Sequence, residues 1–226
     1  MRPIGVLGGM GPEATILLMQ KVLGAVKADD DADHIPLIVH QNPQVPSRIK
    51  ALIEGTGDDP GPALAQMSRD LQAAGAMALA MPCNTAHHYA PAVRAASDLP
   101  FLDMLALTAT HLAQAGAARV GMLASPATRA VGVFDAAFAA RGLVPVWVDD
   151  EAAMLALIRA VKAGEDAQAM SAPFRALAGN LAAKGADHLL IACTELSLLA
   201  PALDGALPVT DSLDCLTRAI VETARG

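Results

Sequence analysis

The chain has 226 residues, of which 54% are apolar, 17% charged and 3% aromatic, and its formal net charge is −7. That length accommodates one large domain or two small ones, each with its own core, and the apolar content excludes a disordered chain. The negative balance argues against a nucleic-acid or anionic-membrane partner, so an anionic ligand has to be held by local positive charge.

In chain order, residues 2–7 read as a short buried strand. The glycine turn Gly8-Gly9-Met10-Gly11-Pro12 follows, then a helix from about Glu13 to Ala28, with Pro12 suited to a helix start. Residues 29–33 are an acidic turn, 35–40 a second strand, and 41–47 a polar loop that carries Arg48. A turn-rich stretch at 55–62 precedes a helix over about 63–74. Strand three, at 76–80, runs into Met81-Pro82-Cys83-Asn84-Thr85-Ala86-His87-His88 and a helix to about Ala95. The second part of the chain reads as a strand at 100–103, a helix at 105–115, a strand at 119–124, a helix at 128–140 and a strand at 143–148. A helix at 152–162 ends at Ala163-Gly164, and a long helix covers 166–184. Strand 187–192 delivers Cys193-Thr194-Glu195-Leu196, and a short strand at 207–210 leads to a closing helix at 212–224.

Strands that alternate with helices and are continuously apolar indicate the α/β class, with parallel sheets covered on both faces. There is also a weak internal repeat. Ile4-Gly5-Val6-Leu7-Gly8 resembles Val120-Gly121-Met122-Leu123-Ala124, and each is followed at a comparable distance by an apolar strand ending in a cysteine, Cys83 or Cys193. The expectation is two similar Rossmann-like halves related by a pseudo-twofold axis. One would span 1–102, with 208–226 packing back on it, and the other 103–207. Ligands of such sheets bind beyond the carboxyl ends of strands and in clefts between domains, so both cysteines are expected to line one cleft. Three cysteines make no disulfide framework and suit a reducing compartment. With no signal-peptide pattern after Met1 and no run of roughly 18 apolar residues, a cytoplasmic, soluble protein is expected.

Gly9-Met10-Gly11-Pro12-Glu13-Ala14 formally matches the dinucleotide fingerprint. That fingerprint needs a carboxylate at the end of strand two, where this chain has His40-Gln41, so nicotinamide binding is set aside. The loop still offers N–H groups at a helix start to a smaller anion such as a carboxylate. A cysteine at an apolar strand end is ordinarily a small buried residue, and Cys215, in the closing helix, fits that description. Cys83 and Cys193 are each followed by a threonine and an expected helix start, whose positive end favours a thiolate, so catalysis is the better reading for the pair. Cys83, His87 and His88 lack the further ligands of a zinc site. His87 is read as capping, packing or supporting the site, and Glu195 as capping its helix or supporting the site. Among the cations Arg48 stands out, because its loop follows strand two on the same edge as the glycine turn and Cys83. A guanidinium there suits a bidentate grip on a substrate carboxylate.

Gly5 to Thr15, Asn42 to Arg48, Pro82 to His87 and Cys193 to Ser197 together resemble the aspartate racemase branch of the aspartate/glutamate racemase family. The resemblance implies an isomerase that needs no pyridoxal phosphate, metal or other cofactor and that is a homodimer in its family setting. By the same resemblance Cys83 and Cys193 are the acid/base pair, and Asn84, Thr85 and Thr194, with backbone at Met10, hold the amino-acid end. Arg48 would bind the side-chain carboxylate and Lys162 would be a second cation in that pocket. Glu195 favours the aspartate branch, since glutamate racemases typically carry histidine there. Aspartate racemases commonly read Pro-Asp-Arg-Thr where this chain reads Pro46-Ser47-Arg48-Ile49. That departure keeps open a related cofactor-free enzyme acting on another amino acid, on glutamate or on maleate. A non-catalytic amino-acid binding module on the same scaffold is the other alternative, disfavoured by retention of both cysteines.

Overall fold

The structure is a computed structural model that describes residues 1–203, 205 and 207–226. The strands form two four-stranded parallel sheets. β1 (Ile4–Gly8), β2 (Leu37–Gln41), β3 (Ala78–Ala80) and β4 (Phe101–Leu102) lie in the order β2-β1-β3-β4. β5 (Arg119–Ala124), β6 (Val144–Trp147), β7 (His188–Ala192) and β8 (Val209–Asp211) repeat that order as β6-β5-β7-β8. The chain thus forms the expected α/β fold with two similar halves. The central strands β1, β3 and β7 are buried along their whole length, whereas the edge strands are partly exposed. Burial on both faces is the reason these strands read as unbroken apolar runs.

The connections are α1 (Pro12–Gly24), α2 (Gly61–Ala73), α3 (Ala90–Ala96), α4 (Met104–Gln114), α5 (Pro126–Ala130), α6 (Asp135–Ala139), α7 (Glu151–Lys162) and α8 (Ala167–Ala183), with α9 (Ser212–Arg225) closing the chain. The helix expected over 128–140 is broken in two. Gly132 takes φ +59, and a side chain there would run into the Asp135 carboxylate. The chain divides into two compact units, 1–104 with 213–226, and 105–212. β8 pairs with β7 from Leu189↔Val209 to Ile191↔Asp211, so the last strand belongs to the second unit and the return to the first starts at Leu213, not at 208. In the first unit α9 is held by Arg2 N–H donating to the Ala224 carbonyl at 2.8 Å and by the Lys21–Asp214 ion pair at 2.5 Å.

The internal repeat extends to single contacts. A Cβ on Gly5 would lie 2.9 Å from Ala76 Cβ, 3.1 Å from Leu79 Cδ2 and 3.2 Å from Leu71 Cβ. One on Gly121 would lie 2.9 Å from Leu189 Cδ2 and 3.1 Å from both Ala186 Cβ and Leu181 Cβ. The partners correspond one to one (76 and 186, 79 and 189, 71 and 181), and each pair is separated by the 110 positions that separate Cys83 from Cys193. In both halves the helix and strand that lead to the cysteine close onto a bare patch of the first strand.

The two glycines should differ in tolerance. Ala76 Cβ can move only with its backbone, whereas the nearest obstacle at Gly121 is a methyl at the tip of Leu189. Gly5→Ala is expected to lower unfolding free energy by about 1–3 kcal/mol and Gly121→Ala by less, measured by urea denaturation.

Candidate active site

In the first unit three loops converge at the ends of β1, β2 and β3. Gly9 N–H donates to Thr15 Oγ1 at 2.9 Å, and Asn42 N–H donates to the Gly8 carbonyl at 3.2 Å. Gly9 has φ +92, and a Cβ there would stand 2.5 Å from the Asn42 carbonyl oxygen, so only glycine allows the turn and the loop after β2 to lie this close. Met10, Val45 and Cys83 belong to one buried apolar cluster. Arg48 begins a short helical stretch whose Lys50–Glu54 portion is π-wound, a geometry frequent at functional sites. Ser47 Oγ accepts from Lys50 N–H at 3.3 Å. Arg48 Nη1 donates to the Pro46 carbonyl at 2.9 Å and the Val45 carbonyl at 3.3 Å, which ties the guanidinium to its own loop.

Cys83 lies where β3 ends and is 8% exposed. The α-helix expected directly behind it starts only at Ala90. Thr85–Tyr89 is a 3-10 segment, and Pro91, in the first turn of α3, has no N–H with which to extend the α-helical ladder backward. The thiol therefore sits beside a short 3-10 turn instead of a full helix dipole. Asn84 and Thr85 are buried next to it. His87 fixes this loop. Its Nδ1 lies 2.8 Å from the Cys83 carbonyl, and Met104 N–H donates to its Nε2 at 3.2 Å. A carbonyl can only accept and an amide N–H only donate, so the ring is neutral with its proton on Nδ1. Burial pushes the His87 pKa below its ordinary 6.5, against the raising effects of the Cys83 carbonyl and Asp103; Arg94 adds to the lowering.

In the second unit Cys193 follows β7 and is 7% exposed. Its thiol donates to Glu195 Oε2 at 3.1 Å, while Lys162 Nζ, at the end of α7, lies 3.0 Å from Glu195 Oε1. The ammonium is close enough for an ion pair, although Oε1 lacks a well-aligned hydrogen bond, so its effect is mainly that of a nearby charge. Glu195 is 5% exposed. Burial pushes its carboxyl pKa up, but the Lys162 charge and the hydrogen bond from Cys193 outweigh burial and hold it below its ordinary value. Thr194 is buried alongside. Leu196–Ala202 is again 3-10, so neither cysteine has the expected α-helix behind it.

The residue four positions past each cysteine is a tie. His87 reaches the amide of Met104, at the junction of β4 and α4, and Ser197 Oγ donates to Asp211 Oδ1 at 2.9 Å, at the junction of β8 and α9. Ser197 ends the 193–197 motif, but no local signal in the sequence marks it and Asp211 as partners. Lys162, expected as a second cation of the substrate pocket, and Glu195, expected to cap its helix or support the site, face each other beside Cys193. The first unit thus gathers Met10, Arg48, Cys83, Asn84, Thr85 and His87; the second gathers Lys162, Cys193, Thr194 and Glu195. Among the described residues no group of three or more His, Cys, Asp or Glu side chains could hold a metal ion, and no helix is long and apolar enough to cross a membrane.

The fold and paired cysteine loops define a racemase of the two-halved α/β type. Residues 7–220 match the Asp/Glu/Hydantoin racemase family, and the chain belongs to it. It is similar to the broad specificity amino-acid racemase RacX of Bacillus subtilis (strain 168), with 26% identity over 225 residues covering 97% of each chain. Among solved structures, the aspartate racemase of Picrophilus torridus superposes with a TM-score of 0.90 at 27% identity, covering 100% of this chain and 95% of that one. The glutamate racemase of Francisella tularensis shares the fold, with a TM-score of 0.67 at 13% identity over 98% and 80% of the two chains. The protein is accordingly an isomerase of the racemase class.

Because the folded-state pKa of His87 is depressed, the unfolded chain binds its proton first, and stability falls as pH drops below the ordinary histidine value of 6.5. The urea midpoint should decline between pH 7.5 and 5.5, and less steeply in His87→Asn. A residual slope is expected from His188, whose pKa is also lowered, chiefly by burial.

Proposed function

We propose that the protein interconverts L- and D-aspartate without a cofactor, using Cys83 and Cys193 as the two acid/base groups. The observation that carries this reading is the equivalence of the two thiols. Each follows the strand that packs on Gly5 or Gly121, at the same position in two halves built alike. Inverting a stereocentre by proton transfer needs a base on one face of Cα and an acid on the other. A thiolate removes the α-proton, forming an S–H bond as the C–H bond breaks, and the opposite thiol delivers its own proton to the carbanion. The two thiols then have exchanged protonation states.

The carbanion is stabilised electrostatically. Asn84, Thr85 and Thr194, with the backbone at Met10, are assigned to the α-carboxylate and ammonium. Arg48 is assigned to the distal carboxylate and Lys162 to the charge balance of the same site. A cytoplasmic homodimer is part of the reading, supported by family membership and testable by sedimentation.

Aspartate or another amino acid dissolved in D2O with protein free of metal and cofactor should lose its α-proton NMR signal as its antipode forms. Cys83→Ser and Cys193→Ser should each abolish racemisation while melting like the parent; full activity in either would overturn the two-thiol mechanism. A second reading, racemisation of several amino acids, is favoured by the Arg48 loop. Its guanidinium is already engaged by two carbonyls, and Ser47 is used as a cap. Arg48→Met separates the two. A rise of at least tenfold in KM for aspartate, with neutral amino acids unaffected, supports aspartate; equal effects on all substrates support breadth.

A further inference from the structure

The two thiols are equivalent in the fold but unequal in their surroundings. Position 195 holds a buried carboxylate that accepts the Cys193 S–H at 3.1 Å, and 110 positions earlier the equivalent residue is Thr85. A thiolate at Cys193 would face that carboxylate across a hydrogen-bond distance, a like-charge contact that favours the protonated thiol. Lys162 offsets the charge, but it lies on the far oxygen, Oε1, and keeps Glu195 ionised.

We propose that Glu195 holds Cys193 as the thiol in the substrate-free enzyme, so that Cys193 waits as the proton donor and the role of base falls to Cys83. Glu195 is then a positioning residue that acts through Cys193. A turnover from this state forms the S–H bond on Cys83 as the α-C–H bond breaks, and moves the Cys193 proton to the other face of Cα. The product state carries its thiolate at Cys193, next to Glu195, and relaxes to the waiting state by proton exchange with water or by the reverse turnover. Because two enantiomers have equal free energy, kcat/KM must be the same for both, and the asymmetry appears as unequal kcat values with matching differences in KM. Glu195→Gln removes the like charge and should bring the two kcat values together.

This inference takes its catalytic meaning from the racemase reading, but its test needs no turnover. Cys83 and Cys193 are 8% and 7% exposed, so access is comparable and alkylation rates report thiolate content. Substrate-free protein is treated with limiting iodoacetamide at neutral pH, in which the thiolate displaces iodide, and labelling is followed site by site by mass spectrometry. The buried Cys215 serves as an internal reference. Cys83 is expected to label about tenfold faster than Cys193, because the Glu195 carboxylate opposes a thiolate at Cys193 alone. In Glu195→Gln the Cys193 rate should rise until the gap closes, and Glu195→Asp should restore part of it. Cys193 labelling as fast as Cys83 in the parent protein would overturn the proposal, as would an unchanged gap in a Glu195→Gln protein that melts like the parent. If Glu195→Gln does not fold, the parent ratio decides alone. The expected labelling without α-proton exchange on any amino acid would uphold the thiol assignment and remove the racemase reading.

Discussion

Close approach of a helix and a strand to the first strand of each half is the constraint on which the rest of the structure depends. It requires a residue with no side chain at position 5 and again at position 121. Leu71, Ala76 and Leu79 fill the space over Gly5, and Leu181, Ala186 and Leu189 fill it over Gly121. Once those contacts are made, β3 and β7 lie beside β1 and β5 in parallel register, and the carboxyl end of each lies at the same edge of its own sheet as that of the first strand. Each cysteine inherits its place from this packing. Dense interiors transmit such a constraint because there is no free volume in which a displaced strand could settle.

On this common frame the two halves have diverged around their cysteines. The tie four residues past the cysteine is an aromatic ring in one half and a hydroxyl–carboxylate pair in the other, yet both fasten the cysteine loop to the junction after the next strand. His87 performs that task only as the neutral ring, and burial supplies the neutrality. Position 85 versus 195 differs more consequentially, a threonine against a charged carboxylate. A buried carboxylate remains ionised only when its surroundings answer the desolvation cost; here a lysine at the end of α7 and the thiol itself do so. The second unit therefore contains a thiol and a carboxylate in contact, and loss of the Lys162 charge would leave that buried carboxylate without its cation.

The loop bearing Arg48 shows how local backbone needs take up a cation's donors. Its carbonyls at Val45 and Pro46 take donors from the guanidinium, and Ser47 caps the turn that follows. A guanidinium tethered in this way has little side-chain freedom left to lose and fewer donors left for any other partner.

The sequence by itself determined the α/β alternation, the parallel sheets, the repeat and the two cysteine loops, because these rest on local periodicity and on residue types with narrow physical roles. Apolar runs of strand length suit the strands of a covered parallel sheet, and a glycine turn before Pro12 suits a helix start. What it misjudged was decided by contacts remote in the chain or by single-residue backbone effects. The helix expected over 128–140 is interrupted because Gly132 adopts a left-handed φ against Asp135, and α3 is delayed because Pro91 lacks an amide hydrogen. The last strand joined the second sheet because β7 offered an unpaired edge. Only the tertiary structure brought Lys162 to Glu195 and Ser197 to Asp211, since each pair joins different elements and neither residue carries a local pattern that names its partner.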